Sequence, residues 1–388
     1  MVEPLRAARL TDQMTAWRHA FHADPELGFN EHRTAARVAD LLRDFGLEVH
    51  EGIGGTGVVG ILQRGNGSGS IGLRADMDAL PILETSGRTY ASQNQGVMHA
   101  CGHDGHMAML LGAASLLAQE GRFNGRAVFI FQPNEENGKG AQAMLADGLF
   151  ERFTVDQVYG LHNIPGLGLG EFATRSGPIT ASESLFSITI AARGGHAALP
   201  HMGVDAITVG AEMVGALQTI VSRKLDPSVN GVVSVTEFVT DGRRNVLPGA
   251  AVLSGDARAL TPALTEMIAN RMRQIAKGIA MAHDVDATVA FDTIFPPSIN
   301  APEAVAQACA AATMTVGAAQ VDGGCAPKLF SEDFAHLAAA RDGCFILMGN
   351  GTTGQNARAL HASDYDFADA ALPIGASYWV NLVERCLP

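Results

Sequence analysis

Short apolar runs bounded by glycine, proline or polar turns recur along the chain: GVVGIL, AVFIFQ, VYGL and, near the end, GCFILM. Runs of this length predict buried strands. Between them lie longer apolar or amphipathic stretches, HMAMLLGAASLLAQE and AQAMLADGLF, which predict helices, and the stretch around residues 4–45 also reads as helical. Such alternation predicts an α/β fold with a largely parallel sheet. The pattern changes from about residue 180 to 293. There the order is a strand (SLFSITIAA), a helix (DAITVGAEMVGALQTIVS), two strands (VVSVTEFV, AVLSGDARA), a helix (LTEMIANRMRQIAKGIAMAH) and a strand (DATVAF). This β-α-β-β-α-β order is the ferredoxin-like split unit. It predicts an inserted domain at 180–293 within a first domain formed by 1–179 and 294–388. The loop GNGSGS at 65–70 reads as a hairpin connection.

GIGGTG at 52–57 satisfies the dinucleotide-binding pattern, but VVGILQ follows it. A strand in that place removes the helix N-terminus that would hold a pyrophosphate, so the glycines read as a turn between strands. No GxSxG elbow, Walker A loop or HExxH motif occurs.

With 388 residues, 47% hydrophobic and 17% charged, the chain is long enough for two buried cores. A formal net charge of -13 argues against nucleic acid or an anionic membrane surface as a partner. No run approaches the roughly 18 apolar residues needed to span a bilayer. The opening MVEPLRAARL lacks a basic-then-apolar leader pattern, so the expected location is cytoplasmic. The five cysteines, at 101, 309, 325, 344 and 386, are irregularly spaced. Cys309, Cys325, Cys344 and Cys386 therefore read as reduced, structural and mostly buried residues.

Cys101 belongs to a denser pattern, MHACGHDGH at 98–106. Imidazole and thiolate are ligands for borderline and soft metal ions. Residues two apart point about 200° apart on a helix but to the same side of an extended segment. Extended backbone would thus let Cys101 and His103 aim at one point, and the apolar run beyond Asp104 places them at the entrance to a helix. Further candidates follow predicted strands: Glu135 and Glu136 in FQPNEE, His162 in GLHN, and His361 in ALHASDYDF. Ligands in open α/β sheets bind beyond the carboxyl ends of strands, where separate loops converge. Two adjacent carboxylates in extended backbone diverge, so one can bind metal while the other handles a proton.

MHACGHDGH, FQPNEENGKGAQAML, GLHN, GGHAALPH, SEDFAH and LHASDYDFADAALPIGASYW together resemble, in order, the aminoacylase, hippurate-hydrolase and indoleacetyl-amino acid hydrolase branch of the dinuclear metallopeptidases. The resemblance implies a zinc-peptidase-like catalytic domain carrying an inserted lid or dimerisation domain. It also implies two divalent ions held by Cys101, His103, Glu136, His162 and His361, with Glu135 as general base and Cys101 able to bridge the ions. Zn, Mn, Ni and Co all suit that donor set.

His196 in GGHAALPH matches a histidine that reaches a neighbouring subunit's site and stabilises the oxyanion. His201 reads as a turn residue. Asn245 in RRNVLPG matches an asparagine near the same carbonyl, and Arg258 in GDARAL is a candidate for the substrate carboxylate. Asp76 and Asp78 in LRADMDALP have the alternation of groups that orient ligands, and Asp104 reads either as another such group or as a helix N-cap. Other branches carry a metal-binding histidine where Asp76 stands. Asn134 replaces an alanine found in many relatives.

The expected activity is metal-dependent hydrolysis of a small-molecule N-acyl amino acid by a homodimer or higher homo-oligomer. The alternative on the same site is a dipeptidase or carboxypeptidase, for which a free α-amino group on the preferred substrate would be diagnostic. A non-catalytic binder retaining the fold is the reading from another class. Against it stands the presence of every ligand and the base.

Overall fold

A computed structural model describes residues 5–388. The chain forms two compact units. One runs to Ile179 and takes up Ser298–Ala326 and Glu332–Pro388; the other comprises Thr180–Pro297 and Pro327–Ser331. The segment Pro327–Ser331 therefore returns to the second unit, which the single insertion read from the sequence does not include.

The first unit opens with α1 (Thr11–Ala23) and α2 (His32–Asp44), after a short 3-10 turn at Arg6–Leu10. The helical opening is thus three pieces: the 3-10 turn runs directly into α1, and the polar, proline-containing stretch after Ala23 separates α1 from α2. Its strands are β1 (Glu48–Ile53), β2 (Gly57–Arg64) and β3 (Ser70–Asp76), followed by α3 (His103–Glu120), β4 (Gly125–Gln132) and β5 (Gln157–Pro165). They join an eight-stranded sheet in the order β1, β2, β4, β3, β5, Asp342–Gly351, Phe172–Ala173, Val321–Asp322. β4, β3, β5 and Asp342–Gly351 are mutually parallel. Each of these strands is apolar along most of its length because both faces of a parallel sheet are covered.

GIGGTG is the turn between antiparallel β1 and β2, as its following strand predicted. The GNGSGS loop is not a hairpin. β4 inserts between β2 and β3, pairing antiparallel with one and parallel with the other, and the loop carries the chain past it. Asn124 Oδ1 holds the loop by accepting hydrogen bonds from the main-chain N–H groups of Asn66 and Gly67. The helix read over AQAMLADGLF is also divided, into Gly140–Ala146 and Leu149–Arg152. Gly148 lies between them at φ 80°.

α3 is buried from His103 through Leu117, which explains why its apolar residues run all round rather than along one stripe. Its N-cap, Gly102, has φ 90°. Any side chain there would be strained, and a Cβ would lie 2.4 Å from Asn163 Oδ1. Gly105, in the first turn, faces the Phe367 ring so closely that a Cβ would lie 2.4 Å from it.

The second unit has the predicted β-α-β-β-α-β order. Its antiparallel sheet runs Gly231–Thr240, Ala250–Ala259, Glu183–Ala191, Asp286–Phe295. Helices Ala206–Thr219 and Pro262–Ala282 pack Met213, Leu217 and Met272 with Ile188, Ile190 and Leu253 from the strands. Asp205 caps the first helix by accepting from Ile207 N–H; Thr261 caps the second by accepting from Leu264 N–H, with Pro262 in the first turn.

No helix among the described residues is long and apolar enough to cross a membrane. Cys101, Cys309, Cys344 and Cys386 form no disulfide; Cys325 and Cys344 are buried, whereas Cys309 and Cys386 are only partly so.

Gly105→Ala should destabilise the protein by about 1–3 kcal/mol, because overpacking against Phe367 outweighs the better helix propensity of alanine. Urea unfolding checks this, and a variant as stable as the parent would contradict the close packing of α3 on Phe367.

Candidate functional site

The carboxyl ends of β3, β4 and β5 bring together segments far apart in sequence. Asp76 ends β3, Glu135 and Glu136 follow β4, and Cys101 and His103 flank Gly102 at the start of α3. Cys101 and His103 do not lie on extended backbone. The left-handed Gly102 turns the chain between them, and His103 is already helical. His162 lies inside β5 rather than beyond it, since that strand continues to Pro165. His361 arrives on a loop, at φ 65°, with its main-chain N–H donating to Ala100 O at 2.8 Å. A non-glycine residue in this region is uncommon and marks a constrained position.

The donor atoms of Cys101, Glu136 and His361 lie within 4.8 Å of one another, as do those of His103, Glu135 and Glu136. Glu136 belongs to both sets. Each inner histidine has one nitrogen fixed by a carbonyl and the other directed at these donors. His103 Nδ1 donates to Asp78 O at 2.8 Å, and its Nε2 lies 3.9 Å from Glu136 Oε1. His162 Nδ1 donates to Asn163 O at 2.6 Å, and its Nε2 lies 3.4 Å from Cys101 Sγ. His361 Nε2 is 3.5 Å from Glu136 Oε2.

These residues fit a metal centre on two observations. His103 Nε2 and Glu136 Oε1 are both buried without a hydrogen-bond partner, and they face each other at a distance too long for a hydrogen bond. The electrostatics also call for a cation. Burial works against the His103 imidazolium, yet Asp76, Asp78 and Glu136 together raise its pKa to about 10. Burial, reinforced by Asp78 and Asp76, pushes Glu136 up to about 7. Burial and the surrounding carboxylates hold the Cys101 thiol well above its usual range. Burial, with help from the neighbouring His106, keeps the His162 imidazole neutral. Protons occupy donor atoms that a metal ion would take.

Glu135 sits apart from the thiol, within 4.8 Å of Glu332 and Asp333. Burial and these two acids push its carboxyl well up, against the opposing charge of Arg74. The Arg74 guanidinium, fully buried, donates to Asp76 at 2.7 Å, Glu332 at 2.8 Å and Asp333 at 3.0 Å. Asn134, just before the glutamates, stands at φ 48°, a conformation asparagine tolerates better than alanine. Its N–H donates to the buried Glu31 carboxylate at 2.8 Å.

Asp78 touches two candidate ligands: its carbonyl accepts from His103, and its Oδ2 accepts from Glu136 N–H at 3.0 Å. Asp104 does neither of the things expected of it. Gly102 is the N-cap, and the buried Asp104 carboxylate turns to α1, accepting from His22 Nδ1 at 2.8 Å and Arg18 at 3.3 Å. Burial disfavours a charged His22, but Asp104 and Glu84 outweigh it and raise the imidazole to about 9. Sequence reasoning did not reach His106, Asn163, Arg74, Glu332 or Asp333 as site residues. One signal was present: Arg74 is a cation inside SIGLRAD, directly after the apolar run IGL.

The second unit carries the other candidates. His196 and Asn245 are exposed and adjacent in a small antiparallel ribbon, where Val246 pairs with His196 and Ala197 N–H donates to Asn245 O at 3.1 Å. His196 Nδ1 accepts from Ala198 N–H at 3.0 Å, which leaves Nε2 as the protonated donor of the neutral ring. His201 lies in the short turn Pro200–Met202. Arg258 is engaged within its own unit by Asp256 at 2.8 Å, Glu183 at 3.2 Å and Ser331 Oγ at 2.9 Å. Its charge is therefore already met within that unit by Glu183 and Asp256.

Residues 72–385 match the family described as Peptidase family M20/M25/M40. The chain is 40% identical over 370 residues to a hippurate hydrolase of Campylobacter jejuni, covering 95% of each protein. It is 41% identical over 302 residues to an N-acyl-L-amino acid amidohydrolase of Geobacillus stearothermophilus, covering 76% of this chain and 81% of that one. A solved Bacillus subtilis structure, described as a dinuclear metal binding peptidase of the M20 family, superposes with a TM-score of 0.84 at 28% identity, covering 97% and 98% of the two chains.

If these donor atoms hold a metal ion, its binding should release protons near neutral pH, because the raised pKa values of Cys101, His103 and Glu136 favour protons that an ion would displace, and apparent affinity should fall as pH is lowered. Calorimetric titration of metal-free protein in buffers of different ionisation enthalpy measures the proton count. A count of zero would contradict the charge state described above.

Proposed function

The chain belongs to peptidase family M20/M25/M40, and from that premise we propose that it hydrolyses the amide bond of N-acyl amino acids, yielding a carboxylate and a free amino acid. The observation that carries this reading is the convergence of Cys101, Glu136 and His361, with the open nitrogens of His103 and His162 nearby and Glu135 beside them. We assign those five residues as holders of two divalent ions, for which Zn, Mn, Ni and Co all suit the donor set. When bound, such ions supply Lewis acidity toward a carbonyl oxygen and lower the pKa of water.

In this reading Glu135 accepts a proton from the attacking water and returns it to the nitrogen of the departing amino acid, so that water is consumed and no net proton is retained. Arg74, through Glu332 and Asp333, fixes the acidic wall beside that carboxylate. Asp78 holds His103 by its carbonyl and the turn at Glu136 by its carboxylate. Asn134 sets the turn that presents the two glutamates. The N–H of His196 Nε2 is suited to stabilise an oxyanion, with Asn245 beside it. We assign both to the site of a partner copy in a homodimer or higher homo-oligomer.

A panel of N-acetyl, N-benzoyl and indoleacetyl amino acids, run beside matched dipeptides on metal-stripped and refilled protein, tests the activity. Release from an acyl class should depend on added metal. Preference for substrates with a free α-amino group would replace the proposal with a dipeptidase. Glu135→Gln should lower kcat by about 10²- to 10⁴-fold at unchanged metal content, and normal turnover would remove Glu135 as the base. His196→Ala and Glu135→Gln proteins, each inactive alone, should regain activity on mixing if His196 serves a partner's site. No recovery in demonstrably exchanged oligomers would place its action within one chain.

A further inference from the structure

Of the three histidines in MHACGHDGH, only His103 enters the proposed metal set. His106 is nevertheless as close to it as a ligand would be: donor atoms of Asp76, His103, His106 and His162 all lie within 4.8 Å of one another. Hydrogen bonding separates the three rings. His103 and His162 each give Nδ1 to a carbonyl and keep Nε2 for the site. His106 keeps neither nitrogen. Its Nδ1 is 2.6 Å from Asp76 Oδ1, and its Nε2 is 2.8 Å from Asn163 Oδ1 and 3.1 Å from Asn163 N. With either tautomer at Nε2, the ring engages Asn163, by accepting from the main-chain N–H or by donating to the side-chain oxygen.

Asn163 is the residue through which this contact reaches the site. Its carbonyl accepts from His162 Nδ1, which fixes the tautomer and the direction of Nε2 toward Cys101. Its side-chain oxygen lies 2.4 Å from where a Cβ on Gly102 would be, so it also bounds the turn between Cys101 and His103. Its amide nitrogen donates to Tyr365 Oη. The His106 ring packs edge-on against His162 with centroids 4.5 Å apart, and Asp76 on its other side is tied to Arg74.

We infer that His106 is a positioning residue of the metal centre, clamped by Asp76 and acting on His162 and the Cys101–His103 turn through Asn163, rather than a metal ligand. Partners of this kind hold a ligating imidazole in one tautomer and orientation, so their loss weakens metal binding without removing a coordination position. The inference rests on the metal set assigned under the proposed function but not on the substrate, and its test reads metal binding alone.

The experiment is chelator competition with Zn and Co on metal-stripped protein, with the ion count at saturation and the visible spectrum of the cobalt form. His106→Ala should bind as many ions per chain as the parent but with affinity lowered about 10- to 100-fold for at least one of them. His106→Gln, whose amide can still reach Asn163, should recover part of the loss. If His106→Ala does not fold, Asp76→Asn is measured instead, and it should weaken binding in the same sense. Unchanged affinity in the folded variant would overturn the inference. So would the loss of one ion per chain at saturating metal with a changed cobalt spectrum, which would make His106 a ligand. A failure of the hydrolysis panel alone would leave these readings untouched, and so would point to the substrate assignment.

Discussion

Surplus buried negative charge organises the first unit. Asp76, Asp78, Glu135, Glu332 and Asp333 are all buried near the carboxyl ends of β3 and β4, with Glu136 close behind. Withdrawing carboxylates from water costs several kcal/mol each unless partners compensate. The buried Arg74 offsets one side of the group by bonding three of them at once. Toward Cys101 and the histidines the described residues place no comparable guanidinium, and protons fill the gap. The donor set is thereby shaped for cations before any arrives, and the sheet is the frame that holds like charges together.

The frame also holds unusual backbone conformations. Gly102, Asn134 and His361 all have positive φ, and each lies in or beside a segment that delivers a candidate ligand. Residues held in such conformations persist because their surroundings over-determine them. Here those surroundings are identifiable: Asn163 against Gly102, Glu31 on the Asn134 N–H, and Ala100 O on the His361 N–H.

Much of this was legible in the sequence, and the limits have physical causes. The strands announced themselves because parallel strands covered on both faces must be largely apolar, and the second unit because its strand and helix patterns follow one another in the split β-α-β order. The candidate ligands stood out by residue type, since few other contexts place cysteine, histidines and paired glutamates at strand ends. What stayed hidden was pairing in space. Nothing local to GNGSGS says that β4 will enter between β2 and β3. Nothing near Asp104 says that its partners, Arg18 and His22, lie more than eighty residues earlier. His106 resembles its neighbours in sequence and differs from them only in where its nitrogens point.

The insertion of β4 between β2 and β3 also orders events in time. During synthesis β3 emerges before the strand that will separate it from β2, so its edge facing β2 waits unpaired until α3 and β4 follow. His361 comes later still, after the whole second unit has been made. That unit pairs mainly within one contiguous stretch and can condense while the first is incomplete. The segments that carry the candidate ligands are therefore joined over long loops, whose closure costs entropy. Until His361 has been made, the chain holds only part of the candidate ligand set.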